Sequence, residues 1–362
     1  MPNRKYYKGE IEVEGHGILH PKTTIDCVYD DKNGTTLNES LSKFASNDEL
    51  DKKAGKETVL SIMSIDNEKC DWNSSDLYVY SHDPSALIGL RNGTRQITSE
   101  ASFTFDAATQ AITSYIGTDK DVIVPAKING VTVKSVAQNA FKNKGVCKLS
   151  LPNTIVAMGM RTNGTFADNF FEYMYLPPFL TTVEARCFKN MKSLSKIAFP
   201  SYATKILVGA FENCNLKEVE FPDTLESIED SAFGGNSIKK IILPNSVTTL
   251  GVAFKDCGME MLKLSDKITG LDFGASAVYG WQGNKLKLLI WKYPSTAATD
   301  TVLLALTYAA ENSTGAITIR TTKTEFVYNL IANSTAMSEA QKAQYTVTDM
   351  QGKIYLPPAA EV

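Results

Sequence analysis

The chain has 362 residues and only three histidines, His16, His20 and His82. Two of them sit four apart in Gly15-His-Gly-Ile-Leu-His-Pro21, where a helical metal pair would need a helix that Gly15, Gly17 and Pro21 oppose. They read as loop histidines, with one axial ion gathered by three chains as the only metal alternative; no metal or cofactor is expected. The six cysteines (27, 70, 147, 187, 214, 257) form no C-x-x-C pair, which excludes the zinc and thioredoxin spacings. No apolar run approaches the ~18 residues of a membrane helix, and the basic amino terminus lacks a following apolar stretch, so neither anchor nor secretory signal is expected. The Asn-x-Ser/Thr sites at Asn73, Asn92 and Asn163 therefore carry little weight. A net charge of −3 gives no electrostatic case for nucleic acid or an anionic membrane.

Catalytic patterns are missing as well. There is no Gly-x-Ser-x-Gly elbow, no cysteine beside a histidine base and no phosphate-cradling glycine loop; Gly234-Gly235 reads as a turn leaving a repeat. Glu218 with Glu220, and Glu229 with Asp230, are the nearest approach to the paired carboxylates of glycoside hydrolysis, and they read as solvated surface. The chain is expected not to be an enzyme, with a surface-polysaccharide hydrolase as the remotest reading.

What the sequence does have is a period of about 22 residues from Val122 to roughly Trp291. The frame polar-apolar-x-apolar-Pro recurs at 148–152, 173–177, 196–200, 218–222 and 240–244, so the prolines are 25, 23, 22 and 22 residues apart. A second mark, Ala-Phe, keeps step at Phe141, Phe211, Phe233 and Phe254, with Phe166 and Phe188 as variants. Within each frame the alternation points Ile197 and Phe199 inward and Lys196 and Ala198 outward, and Pro200 ends the strand. A second apolar pair follows, such as Leu225 with Ile228 or Val247 with Leu250. One unit cannot bury these faces alone, so stacked units should form a solenoid with an internal ladder of Phe141, Phe166, Phe188, Phe211, Phe233 and Phe254. Cys214 and Cys257 each follow a ladder phenylalanine by three residues and should be small buried thiols.

Four segments follow from this. Residues 1–57 read as extended pieces and short helices, in which Leu37, Leu41 and Phe44 make one narrow stripe suited to pairing with copies of itself, for attachment and oligomerisation. Residues 58–106 read as a small β unit, with strands at 77–80 and 101–105 and a turn at Asn92-Gly93. Residues 107–291 are the solenoid, with Phe103, Phe105, Ile112 and Tyr115 covering its first turn. Residues 292–362 read as an α+β cap, with a helix from Asp300, a strand at 317–320 and a capping box opening a helix at Ser338. The fold class is mostly β.

The segment 112–133, followed by Ala140-Phe141 and the Leu-Pro-Asn and Ala-Phe-x-x-Cys units, resembles the BspA-like leucine-rich repeats over residues 105 to about 292. That resemblance implies a β-rich solenoid used for adhesion or recognition at cell surfaces. Residues 20–41, continuing into Asp48-Glu-Leu-Asp-Lys-Lys, look like the attachment segment of phage tail-fibre and receptor-binding proteins. That second resemblance implies a virion tail protein, a homotrimer docked on tail or baseplate proteins, whose solenoid contacts a bacterial surface polysaccharide or protein. The alternative is a bacterial surface or secreted adhesin.

The candidate working surface is the outward face of the repeated strands, with Tyr173, Tyr175, Lys196, Glu218, Glu220 and Lys240 as candidate ligand-binding residues. Tyr173 and Tyr175 would stack on a sugar or anchor a protein, or else pack against the insertion at 161–164.

Overall fold

A computed structural model describes residues 78–80, 82–91, 93–159, 164–268, 282–292 and 299–357. Leu37, Leu41, Phe44, His16, His20, Cys27 and Cys70 lie outside the described residues.

A typical repeat folds as two short strands and two corners, each strand pairing in parallel with its counterpart in a neighbouring turn. The first strand is the polar-apolar-x segment before proline: β3 (Asp121–Ile123), β7 (Lys148–Ser150), β9 (Tyr173–Tyr175), β11 (Lys196–Ala198), β14 (Lys240–Ile242), β16 (Met261–Lys263) and β17 (Leu288–Ile290). They stack in parallel, in blocks β3-β7, β9-β11 and a longer run from β14. The second strand is only two residues long: β6 (Ser135–Val136), β8 (Ala157–Met158), β10 (Thr182–Val183), β12 (Lys205–Ile206), β13 (Ser227–Ile228) and β15 (Thr249–Leu250). Its inward residue recurs turn after turn, with Val183, Ile206, Ile228 and Leu250 in register.

Between second and first strands lies the Ala-Phe corner. Phe141, Phe166, Phe188, Phe211 and Phe233 are fully buried, Phe254 nearly so, and successive rings lie 5.1 to 5.5 Å apart. The same column begins one turn earlier, because Tyr115 stacks on Phe141 at 5.4 Å. Two residues past each phenylalanine the chain turns through the left-handed region at Asn143, Asp168, Asn190, Asn213, Gly235 and Asp256. Asparagine, aspartate and glycine tolerate that conformation, which explains why the position draws on those three.

The amino-terminal end is closed by a hairpin. β1 (Phe103–Asp106) pairs antiparallel with β2 (Ala111–Tyr115), and β2 then pairs in parallel with β6, so the hairpin hands its direction to the second ladder. A tight hairpin of β4 (Lys127–Ile128) and β5 (Val131–Thr132) turns at Asn129-Gly130, both with positive φ.

At the other end the helices take over the second ladder's role. α2 (Thr299–Asn312) connects β17 to β18 (Ile317–Arg320), and α3 (Thr324–Ala332) with α4 (Glu339–Lys342) connects β18 to β19 (Tyr345–Thr348). The first ladder thus continues in parallel as β14-β16-β17-β18-β19. Val302, Leu306, Val327 and Ile331 join the same apolar core as the repeat phenylalanines. Ser338 accepts from the Gln341 N–H while Gln341 returns a bond to the Ser338 N–H, a complete capping box.

Two expectations fail. The 58–106 segment is not an all-β unit in its described part: residues 78–80 form a 3-10 turn, and α1 (Pro84–Arg91) is a helix. Asp83 caps α1 by accepting from the Ala86 N–H at 3.0 Å, and Pro84 at the first helical position needs no donor. The segment 218–222 does not form a strand. Glutamate is a poor strand residue, and Val219 between Glu218 and Glu220 is only half-buried, so little burial rewards pairing there.

The candidate recognition face

The first ladder's outward positions make two rows, reading Lys148, Tyr173, Lys196, Glu218, Lys240, Met261, Leu288 and Ser150, Tyr175, Ala198, Glu220, Ile242, Lys263, Ile290. The amino-terminal part of this face is covered by the chain itself. α1 and the loop behind it lie across β3, β7 and β9: Tyr80 Oη donates to the Val124 carbonyl, the Asn153 N–H to Val79, and the Thr98 N–H to Ile123. Arg95, its side chain buried, donates from Nε to Asp121 Oδ1 at 2.9 Å and from Nη1 to Ser150 Oγ at 3.0 Å. Gly89 makes room for that guanidinium stem, since a Cβ there would sit 2.6 Å from Arg95 Cγ and Cδ.

Tyr173 and Tyr175 belong to this covered part. Tyr173 Oη hydrogen-bonds Ser85 Oγ at 2.7 Å, and the two rings meet edge to face with centroids 5.9 Å apart. Burial raises the Tyr175 hydroxyl above its ordinary range, with the nearby Asp83 carboxylate adding to it. Asp83 is itself raised by burial, against the hydrogen bonds from Ser150 and Ala86 and the charge of Arg95. The sequence placed these tyrosines either on an open patch or against the 161–164 insertion, of which 161–163 lie outside the described residues; among the described residues Tyr173 bonds Ser85 of α1.

Beyond β9 no described segment lies across the face. Lys196, Glu218, Glu220 and Lys240 are exposed, and no hydrogen bond or ion pair occupies their side chains among the described residues. Past the Arg95–Asp121 pair of the covered part, Lys189 pairs with Glu212 at 2.7 Å in the corner turns, and Lys239 and Lys287 flank Glu260 at 3.3 and 2.7 Å, just ahead of the strands. The flanking lysines hold the Glu260 carboxyl below its usual range.

Behind the face, the position three residues past Phe166, Phe211, Phe233 and Phe254 forms a column of buried side chains that hydrogen-bond ladder carbonyls. Asn169 accepts from the Val146 N–H at 3.0 Å and donates to the Phe141 and Phe166 carbonyls at 2.7 and 2.8 Å. Asn236 repeats this with Leu216, Phe211 and Phe233, and Asn284 with Met259 and Phe254. Cys214 and Cys257 take the same place and donate to the Phe188 and Phe233 carbonyls at 3.1 and 3.0 Å. Burial pushes both thiols up to about 12, and Cys187 higher still, so none is a nucleophile at neutral pH. The exposed Cys147 lies outside this column. Among the described residues no group of three or more His, Cys, Asp or Glu could hold a metal, and no helix is long and apolar enough to cross a membrane.

One exposed aromatic feature escapes a reading by strand rows. Phe179 and Tyr202, each two residues past a strand-ending proline, are more than half exposed and stack at 6.1 Å. Their equal offset from Pro177 and Pro200 is the signal that would have found them.

With this geometry the sequence can be placed among known proteins. Residues 160–277 match the BspA type leucine rich repeat region, in six copies. No curated protein matches the chain. Three solved structures share part of it. The leucine rich repeat protein TpLRR of T. pallidum is 21% identical, over 55% of this chain and 86% of that one, at a TM-score of 0.35. The pneumococcal vaccine antigen PcpA is 18% identical, over 57% and 58%, at 0.36. A leucine rich cell surface protein of Faecalibacterium prausnitzii A2-165 is 16% identical, over 58% and 72%, at 0.37. Superpositions this loose identify no ligand or site. The repeat region is nonetheless of the BspA type, and none of these matches supports the tail-fibre resemblance of residues 20–41.

Proposed function

We propose that the chain is a non-catalytic recognition protein of the adhesion type, working at a cell surface or outside the cell, and that its repeat region contacts the target through the outward face of the first ladder beyond β9. One observation carries this reading: α1 occupies the face over β3, β7 and β9, while from Lys196 onward the outward charged side chains have no partner within the described chain. A solenoid repeats those outward positions in register, which suits it to broad recognition surfaces rather than to a single deep cleft. The match to the BspA type repeats supports the same reading. Residues 299–357 would then serve as the carboxy-terminal shield of the repeat core.

The test is saturable binding of fluorescently labelled full-length protein to intact bacterial and host cells, with bovine serum albumin as the baseline. Saturable binding above that baseline supports recognition. Hydrolysis of surface polymers by the purified protein, with no retention on the cells, would replace this reading with an enzyme.

A further inference from the structure

The open face changes character along its length. Over β11 and the 218–220 segment it carries both charge signs, Lys196 against Glu218 and Glu220. From β14 to β18 no outward position of the ladder is a carboxylate. The register sets Ile242, Lys263, Ile290 and Arg320 side by side in one row, and Lys240, Met261, Leu288 and Thr318 in the other. Among the described acids around it, Glu260 is engaged by Lys239 and Lys287, Asp266 by Lys292, and Asp349, next to Thr348, accepts from the Gln351 and Lys353 N–H groups. Lys240 and Lys263 have no hydrogen-bonding or ionic partner among the described residues, and the buried Nε of Arg320 has none either. Beside Arg320 in register, the hydroxyl of Thr348 is buried and equally unpartnered.

We infer that this β14–β18 patch binds an acidic polypeptide segment with apolar residues between its carboxylates. The inference rests on the recognition reading above and gives it a partner chemistry. Lys263 and Arg320, with no carboxylate beside them in their row, call for an anionic partner. Between them stand aliphatic side chains, Ile242 at 43% exposure and Met261, Leu288 and Ile290 half-buried, which sugar hydroxyls would not reward. The row Ile242-Lys263-Ile290-Arg320 alternates apolar and cationic groups at steps of ~4.8 Å, the spacing of neighbouring strands. Residues three and four apart on a helix present Cβ atoms at ~5–6 Å, whereas same-side residues of a strand stand ~6.8 Å apart. An acidic amphipathic helix lying across the strands therefore matches the row: carboxylates over Lys263 and Arg320, apolar side chains over Ile242 and Ile290.

The experiment measures, by fluorescence anisotropy with full-length protein, a labelled helical peptide that alternates glutamate and leucine along one face, beside polyglutamate and phosphatidylglycerol vesicles. The inference expects peptide binding that exceeds binding of both controls, weakens with salt, and loses tenfold or more in affinity in Lys263→Glu and in Leu288→Asp. Lys263→Gln, milder for folding, should lose severalfold, and thermal melts should show each variant folded. Equal affinity for polyglutamate, preference for vesicles, or indifference to Lys263→Gln would overturn it. So would a doubled mass by light scattering with no peptide bound, which would make a second copy the occupant. Failure here with cell binding intact removes only the partner chemistry; failure of both removes the recognition reading as well.

Discussion

The rings of Phe188 and Phe211 lie 5.1 Å apart and within 2° of parallel, one turn of the solenoid from each other. Both are fully buried, and Phe211 also stacks on Phe233 at 5.3 Å and meets Phe199 edge to face at 5.7 Å. Truncating Phe211 removes contacts with three rings and leaves a cavity that fixed backbone on either side cannot close. Phe211→Ala should therefore cost about 3–5 kcal/mol, and Phe211→Leu clearly less, by urea denaturation. An unchanged midpoint for Phe211→Ala would mean the stack contributes nothing to the fold.

The polar column gives a second expectation. Asn236→Ala strands the Leu216 N–H and the Phe211 and Phe233 carbonyls in the core, a cost of about 2–4 kcal/mol. Asn236→Cys should recover part of it, because Cys214 and Cys257 already sit in the equivalent place and donate to one carbonyl each. Chemical denaturation of the two variants checks the order; equal losses would show that packing alone governs the site.

Tyr173 tests the covered part of the face. Tyr173→Phe deletes only its bond to Ser85, so stability should fall by about 0.5–1.5 kcal/mol. Amide exchange should quicken in residues 84–99 ahead of the rest of the chain, while cell binding stays unchanged. Loss of cell binding without faster exchange would return the tyrosine to the ligand site.

His82 adds a pH dependence. Burial lowers its pKa from the ordinary 6.5 to about 4, and neither ring nitrogen has a hydrogen-bond partner among the described residues. The fold favours the neutral ring, so its contribution is complete above pH 6.5 and is lost as pH falls from 6.5 through about 4, amounting to about 3 kcal/mol at most. His82→Phe should flatten the stability profile between pH 7 and 4.5. Parallel profiles for the two proteins would show that His82 is not held neutral by the fold.

The residues also show why some features were legible in the sequence and others were not. The phenylalanine ladder was readable because one residue type recurs at one position and the proline frame fixes its register. The column behind it was half-read, through Cys214 and Cys257 only, because asparagine, cysteine and methionine exchange there and share no hydropathy. α1 was missed because eight residues hold too few turns to show a period, and the Asp83-Pro84 start resembles a turn. Tyr173 and Tyr175 were placed on the correct side of their strand, yet no pattern within a repeat reveals that a segment from outside it lies on top.

The most direct test of the account compares the two faces of the solenoid in cell binding. Lys196→Glu with Lys240→Glu alters the open part of the first ladder, and Lys205→Glu with Thr249→Glu alters exposed positions of the second. The account predicts that the first pair lowers binding by tenfold or more and the second leaves it within a factor of two, with unchanged melting temperatures for both. Binding that survives the first pair and collapses with the second would place recognition on the opposite face and contradict the account.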